Sequence, residues 1–259
     1  MKANPARRLL RLSVVPAVLC LAAACGGGDH EGPGGAGSGG PGSAGTPALA
    51  GTGERLVITT GDGLRLRAAD GRRVTVDDRT RRHWSHHHGT WTLDLSCAGR
   101  GRHGAPCPRM PEVDVPGGVS VTVTARDAGI DVSGVAAALD LTTVNGDVTV
   151  TRSGRADAAV RLATRNGSVR ATALEAGRLH AGTVNGDVVL ACATAPSYVT
   201  GATTNGSVDV TVPHDTPAYR VTADTGNGRA VVTVPTRDAG RARTMTLTTV
   251  NGDVDARRD

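Results

Sequence analysis

The sequence contains no phenylalanine, and aromatic residues make up only 2 % of its 259 residues. Isoleucine occurs only at Ile58 and Ile130. Large enzyme cores take much of their volume from such side chains, so any core here must be thin and built from Val, Leu and Ala. Frequent glycine, at 36 residues, and the lack of heptads exclude a coiled coil.

Lysine is also nearly absent, because Lys2 is the only one and arginine carries almost all of the positive charge. The formal net charge is +5, but four basic residues and no acidic one precede Cys25. From Cys25 onwards, 25 basic residues are balanced by 24 acidic ones. A chain so nearly neutral gives little support to nucleic-acid binding, which would need a clustered basic face, and no nucleic-acid partner is expected.

The N-terminus has the features of an export signal. Basic residues precede an apolar segment at Leu9–Ala24 that is too short to span a bilayer comfortably. Small residues then lead into Cys25, in a pattern that resembles a bacterial lipobox, although Ala22 stands where Leu is usual. Residues 1–24 are therefore predicted to be a lipoprotein signal peptide. Lipid on Cys25 would hold the protein on the outer face of the cytoplasmic membrane, whereas an ordinary secretory signal cut after Ala-x-Ala is the alternative.

A tether follows the predicted lipid attachment site. The stretch from Gly26 to Gly53 is almost entirely Gly, Ser, Ala, Pro and Thr, a composition typical of a flexible coil with a reach of about 30 Å. We therefore predict a lipidated cysteine with its tether at 25–53 and a folded domain at 54–259. Within that domain, residues 54–115 contain a cysteine pair and residues 116–259 contain regular repeats.

An Asn-Gly pair that recurs every 19 to 24 residues is the strongest signal in the chain. A threonine stands two residues before each Asn, and small apolar residues alternate with polar ones on both sides. This period of two predicts a strand, a turn and a second strand in every copy. The predicted turn residues are Asn145, Gly146, Asn166, Gly167, Asn185, Gly186, Asn205, Gly206, Asn227, Gly228, Asn251 and Gly252.

Asn and Gly are expected in these turns because both tolerate a positive φ. Two weaker copies precede the six regular ones. In one, the alternating residues Val121, Val123 and Ala125 lead into Asp127-Ala128-Gly129 and are followed by Ile130 and Val132. In the other, Val57 and Thr59 lead into Gly61 and are followed by Leu64 and Leu66.

Two all-β folds can use this unit. Asn-Gly can close two-residue hairpins, which would build an antiparallel β-sandwich. It can also form one corner of a β-solenoid whose turns, or rungs, are about 20 residues long. The missing Phe favours the narrow interior of a solenoid. The recurring threonine favours it too, because a hairpin does not require that residue whereas a ladder of stacked like residues does.

The repeats, the lipobox and the tether together resemble a bacterial putative-adhesin family with a β-strand-repeat domain of unknown function, of the actinobacterial secreted and lipoprotein type. The resemblance covers residues 54–259 and is strongest from Pro116 onwards, beginning with Val-Pro-Gly-Gly-Val at Val115–Val119. It implies an all-β, solenoid-like fold. The family has no established catalytic residues to carry over to this chain.

The resemblance also implies a disulfide and a set of functions. Relatives carry a cysteine pair just before the repeats, so we expect a Cys97–Cys107 disulfide, which can persist outside the membrane. The resemblance implies a non-enzymatic adhesin-like binding or scaffold module of the cell envelope, with cell-wall glycan or an envelope protein as partner. An envelope-stress accessory protein acting through a membrane partner is one alternative, and a glycan-active β-helix enzyme is another.

Three further features have competing interpretations. Histidines cluster at His83–His88, but neighbouring residues of an extended segment point to opposite faces, so a solvated segment is favoured over a metal site. Trp84 and Trp91 flank this cluster and are expected to cap an open end of the solenoid, although an exposed pair could stack on sugar rings. Cys192 follows an apolar strand and is expected to be a buried thiol, with intermolecular pairing as the alternative.

The residue after each Asn-Gly pair is often acidic, as at Asp147, Asp187 and Asp253. Stacked acidic corners suggest calcium, but the Gly-Gly-x-Gly-x-Asp repeat of calcium β-rolls is missing, so a solvated turn is favoured. Gly-x-Ser-x-Gly, His-Glu-x-x-His and P-loop motifs are also missing from the sequence. We therefore predict no catalytic residues, no metal and no cofactor.

Overall fold

The computed structural model describes residues 48–49, 53–97, 106–237 and 243–259. Among them no helix is found that is long and apolar enough to cross a membrane. The nineteen described strands are β1 (Arg55–Thr59), β2 (Leu64–Ala68), β3 (Thr75–Val76), β4 (His83–His87), β5 (Thr90–Asp94), β6 (Glu112–Val115), β7 (Ser120–Thr124), β8 (Ile130–Ser133), β9 (Leu139–Thr142), β10 (Val148–Thr151), β11 (Gly154–Ala163), β12 (Val169–Gly182), β13 (Val188–Cys192), β14 (Tyr198–Ala202), β15 (Val208–Val212), β16 (Tyr219–Asn227), β17 (Ala230–Val232), β18 (Arg243–Asn251) and β19 (Val254–Arg258).

These strands form two sheets, whose pairings are parallel except at one end. The first sheet has the order β4-β5-β1-β7-β9-β11-β12-β14-β18-β16. The second has the order β3-β6-β2-β8-β10-β12-β13-β15-β19-β17. The long strand β12 belongs to both, because its first half pairs in the second sheet and its second half in the first. Only β4–β5 and β3–β6 are antiparallel among the described strand pairs.

Each rung contributes one strand to each sheet, and an Asn-Gly corner joins the two strands of the regular rungs. In the strands between the two ends of the solenoid, alternate residues point inwards, where Val, Leu and Ala form one continuous buried cluster. The prediction of a β-solenoid is therefore confirmed. The antiparallel sandwich is wrong, since the strands before and after Asn-Gly lie in different sheets and do not pair as hairpins.

The rungs do not stack in chain order at either end. The rung β1/β2 lies between β5/β6 and β7/β8, although it comes first in the chain. The last rung, β18/β19, likewise lies between β14/β15 and β16/β17. The C-terminal strands are therefore inserted into the solenoid and do not form its end.

The expected register of β1 is wrong by one residue. Leu56 and Ile58 are fully buried, whereas Val57 and Thr59 point outwards. A slip of one residue moves a whole strand to its opposite face. The buried Thr60 takes the place of the threonine of the regular copies, so Asp62 and Gly63 form the corner and Gly61 does not.

The antiparallel hairpin β4–β5 covers one end of the first sheet. Trp84 and Trp91 are half-buried against the core and meet edge to face, with ring centroids 6.2 Å apart. The prediction that the tryptophans cap an open end agrees with this position. Part of the predicted tether also packs here, since Leu49 is fully buried and its N–H donates to the carbonyl of Arg72 at 2.9 Å. The folded region thus begins before Glu54.

Candidate functional site

The Asn-Gly corners stack into a continuous ladder of side-chain amides. The Nδ2 of Asn185 donates to Oδ1 of Asn166 at 2.9 Å, and Asn205 donates to Asn185 at 3.0 Å. The same bond links each successive rung in the spatial order Asn145, Asn166, Asn185, Asn205, Asn251 and Asn227.

Asparagine is therefore needed in these corners for its amide and not for a positive φ. Of the described non-glycine residues, only His88, Arg152 and Ala173 have one. Glycine is the residue with a left-handed backbone, with φ of 130° at Gly146 and 144° at Gly186.

The recurring threonine bonds to the corner of the preceding rung in the stack and not to another threonine. The Oγ1 of Thr183 donates to the carbonyl oxygen of Gly167 at 2.8 Å, and Thr203 bonds likewise to Gly186 at 2.9 Å. Both threonines are almost fully buried. The hydroxyl thus satisfies a backbone carbonyl that the change of chain direction leaves outside both sheets, which explains why the position is conserved across the copies in this chain.

A Thr183→Val variant is expected to lose about 1–2 kcal/mol of unfolding free energy, because the half-buried carbonyl of Gly167 would keep no protein donor. The matched control is Thr200→Val on the outer face of the same sheet, for which a change within about 0.5 kcal/mol is expected. Urea denaturation of both variants measures the difference. Equal stabilities would show that the hydroxyl does not stabilise the corner.

The residues after Asn-Gly bond along the stack and alternate in charge. The Oδ1 of Asp147 accepts from the N–H of Ser168 at 2.7 Å, and the Oδ1 of Asp187 accepts from the N–H of Ser207 at 2.9 Å. Because Asp and Ser alternate, no two carboxylates occupy adjacent corners about 4.8 Å apart. These carboxylates therefore serve as acceptors in the corner. Among the described residues, no group of three His, Cys, Asp or Glu side chains is placed to hold a metal ion.

The described cysteines are either disulfide-bonded or buried, and one histidine of the cluster packs on a tryptophan. Cys97 and Cys107 form a disulfide with Cα atoms 6.0 Å apart, at the predicted place. Cys192 is a buried free thiol, and burial raises its pKa to about 12. His86 stacks on Trp91 with ring centroids 4.4 Å apart. Cys25 lies outside the described residues.

A groove on the outer face of the first sheet is the candidate binding site. It has a cavity volume of about 500 Å³ and crosses β1, β7, β9, β11, β12 and β14. We call it the basic groove. Its charged and aromatic lining residues are Arg55, Asp140, Arg161, Arg178, His180 and Tyr198.

Strand register brings these residues into two rows along the solenoid. One row contains Arg178 and Tyr198, which are direct neighbours on β12 and β14. The adjacent row places Asp140, Arg161 and His180 side by side on β9, β11 and β12. Small side chains form the floor between the arginines at Ser120, Ala138 and Ala159. The groove is therefore a trough between large polar side chains on a rigid sheet.

The groove carries more positive charge than its own carboxylate balances. Arg161 lies 3.9 Å from Asp140, while Arg55 and Arg178 form no ion pair with any described carboxylate. The outer face of the second sheet is different, because Arg67 pairs with Asp131 at 3.3 Å and Arg257 pairs there with two aspartates. The basic groove thus contains two arginines that remain open to an anion.

The pKa of His180 depends on its burial and on this positive charge. Burial lowers its pKa below the usual value, the nearby positive charge of Arg161 lowers it further, and Asp140 acts in the opposite direction. His180 is consequently neutral at pH 7, and an anion bound beside it would favour its protonated form. Sequence reasoning missed this site, and the only hint was that Arg161, Arg178 and His180 occupy the polar positions of alternating strands.

The chain is similar to two solved structures and to one protein family. No curated protein matches the chain. A solved structure of a "putative cell adhesion protein" from Clostridium sporogenes ATCC 15579 is similar at 9 % identity and a TM-score of 0.36, covering 83 % of this chain and 97 % of that one. A "putative adhesin" from Bacteroides fragilis NCTC 9343 is similar at 14 % identity and a TM-score of 0.37, covering 83 % and 95 %. The family model described as Toastrack DUF4097 matches residues 117–257, more than half of the chain, and this protein therefore belongs to the Toastrack DUF4097 family.

Proposed function

We propose that this protein is a non-enzymatic, adhesin-like binding module, held on the outer face of the cytoplasmic membrane by lipid on Cys25. The observation that carries the binding role is the basic groove, where Arg55 and Arg178 project from a rigid sheet without ion-pair partners among the described carboxylates. Strand pairing fixes the backbone positions of these arginines, so a ligand need not order the main chain when it binds. The groove is therefore suited to recognition of a surface-exposed partner.

The composition of the groove supports binding without turnover. Of the described residues that line it, Asp140 is the single carboxylate. Glycoside hydrolysis ordinarily uses two carboxyl groups that flank the scissile bond. This groove therefore lacks the pair of carboxylates that a glycan-active enzyme of the hydrolase type would use.

The anchor is tested by Cys25→Ser, which removes the predicted site of lipid attachment. We expect this variant to move from the membrane fraction to the culture medium, because a lipid chain is the only predicted attachment. Cys20→Ser is the matched control, since Cys20 belongs to the signal peptide and its loss should leave the protein in the membrane fraction. Retention of the Cys25→Ser protein in the membrane would contradict the lipoprotein proposal.

The binding role is tested with the secreted Cys25→Ser protein on washed cell walls, on isolated membranes and on a glycan array. Saturable retention on walls or glycans is the expected result. Retention only on membranes that contain protein would instead favour the envelope-stress accessory function, with a membrane protein as partner. Shortening of a retained polymer would show an enzyme.

A further inference from the structure

We infer that the basic groove binds a linear, negatively charged saccharide polymer that lies along the axis of the solenoid. This inference rests on the proposed binding function and names its ligand class. It depends on the shape of the groove, on the spacing of its arginines and on its one exposed aromatic ring.

The shape of the groove fits an extended chain better than a compact molecule. Its lining residues come from six neighbouring strands of the first sheet, from β1 to β14. Parallel strands lie about 4.8 Å apart, so the groove is about 24 Å long. A volume of about 500 Å³ spread over that length leaves room for one narrow chain.

The spacing of the cationic groups requires repeated anions. Arg55 lies on β1 and Arg178 on β12, four strand spacings away, which corresponds to about 19 Å. A small anion beside one of these strands leaves the arginine of the other strand without a partner, whereas a polymer with an acidic group at regular intervals can contact both. Arg161 lies in the adjacent row beside Arg178 and adds a third cationic contact at that end.

The aromatic content favours a saccharide over a nucleic acid. Tyr198 is 48 % exposed at the end of the groove and offers one amphipathic ring face to a sugar. Single-stranded nucleic acids are held by a succession of aromatic side chains that stack on successive bases. Tyr198 is the one such side chain among the described residues that line the groove.

His180 adds a dependence on pH that is specific to anion binding. It is flanked by Arg161 on β11 and by Thr200 on β14, with Arg178 and Tyr198 in the adjacent row and Asp140 beyond Arg161. A bound anion would offset the charge of Arg161 and let His180 take up a proton. Affinity should therefore rise as the pH falls from neutral, because binding and protonation favour each other.

The test measures binding of the secreted Cys25→Ser protein to polygalacturonate, to poly(N-acetylglucosamine 1-phosphate) and to uncharged dextran by isothermal titration calorimetry. We expect binding to at least one of the two anionic polymers, tighter at pH 5.5 than at pH 7.5, and none to dextran. The two anionic polymers separate a carboxylate source of the charge from a phosphate source.

The matched variants change the same number of arginines on opposite faces. Arg161→Ala/Arg178→Ala should weaken binding by at least about tenfold, since a hydrogen bond to a charged group is worth about 1.5–3 kcal/mol. Arg170→Ala/Arg257→Ala on the second sheet should change it less than about twofold. Circular dichroism spectra and melting temperatures would confirm that both variants fold.

Several results would overturn the inference. Equal binding of dextran, equal weakening by both double variants, or binding of single-stranded DNA in place of either glycan would exclude an anionic saccharide in this groove. If the protein still bound washed cell walls in that case, the proposed binding function would stand and only the ligand class would be wrong. Unsaturated sugar ends in the anionic polymer would show elimination by an enzyme and would overturn both.

Discussion

A Gly186→Val variant is expected to lose at least about 3 kcal/mol of stability and to melt at least about 6 °C lower than the native protein. Gly186 has a φ of 144°, a conformation that a β-branched residue resists. A Cβ at this position would lie 2.2 Å from the carbonyl oxygen of Gly167. Because that atom belongs to the backbone of the neighbouring rung, the clash can be relieved only by separating two corners.

Gly182→Ala is the matched control for this variant, since Gly182 belongs to the same rung. Its φ lies outside the left-handed region, and a Cβ there would meet the carbonyl of Ala202 at an ordinary 3.4 Å. We expect its melting temperature to stay within about 2 °C of the native value. A calorimetric scan of both proteins measures the difference, and equal melting temperatures would refute the role assigned to the Gly186 corner.

The solenoid itself could be predicted because its stabilising contacts repeat at a fixed spacing. Each copy needs a left-handed glycine, an amide for the ladder and a hydroxyl for the neighbouring carbonyl, and these needs leave the same three residue types in every copy. The role of asparagine could not be read from the pattern. A turn residue and a ladder residue give the same signal in a sequence, and only the bond from Asn185 to Asn166 separates them.

The register of β1 was missed because its corner is irregular. Asp62 and Gly63 replace Asn-Gly and are followed directly by the buried Leu64, one residue sooner than in the regular copies. A register based on Gly61 therefore places the apolar face of β1 one residue away from the residues that are buried in the structure.

The basic groove could not be predicted for another reason. Its residues come from positions as far apart as Arg55 and Tyr198, and they meet only when six strands are placed in register. Polar residues on an outer face are expected at every second position of each strand. Only their alignment across strands distinguishes a groove lined by arginines from a solvated surface.

The exchange of rung order at the C-terminal end also escaped prediction, because every Asn-Gly corner can bond to every other. One signal was present in the chain. The corner residues read Asp, Ser, Asp, Ser, Arg, Asp in chain order, and placing Asp253 before Arg229 restores the alternation. The structure has this order, with the N–H of Arg229 donating to Oδ1 of Asp253 at 2.8 Å.

A protein that ends at Arg237 is expected to lose more structure than the segment removed. β16 pairs with β18, and β17 pairs with β19, so deletion of the last two strands removes the support of the rung before them. Backbone amides of β16 and β17 should then exchange with solvent as in an unfolded chain. In a solenoid stacked in chain order, the same deletion would remove one end rung and leave the preceding one protected.

Hydrogen exchange of the intact protein provides the control for this truncation. Chain termini usually exchange quickly because they fray. Here Met245 and Leu247 of β18 are fully buried between neighbouring rungs, whereas Val232 of β17 is 38 % exposed at the end of the solenoid. Amides of β18 should therefore exchange more slowly than those of β17, although β18 lies closer to the C-terminus. If β18 exchanged faster than β17, or the truncated protein kept β16 protected, the inserted position of the last rung would be wrong.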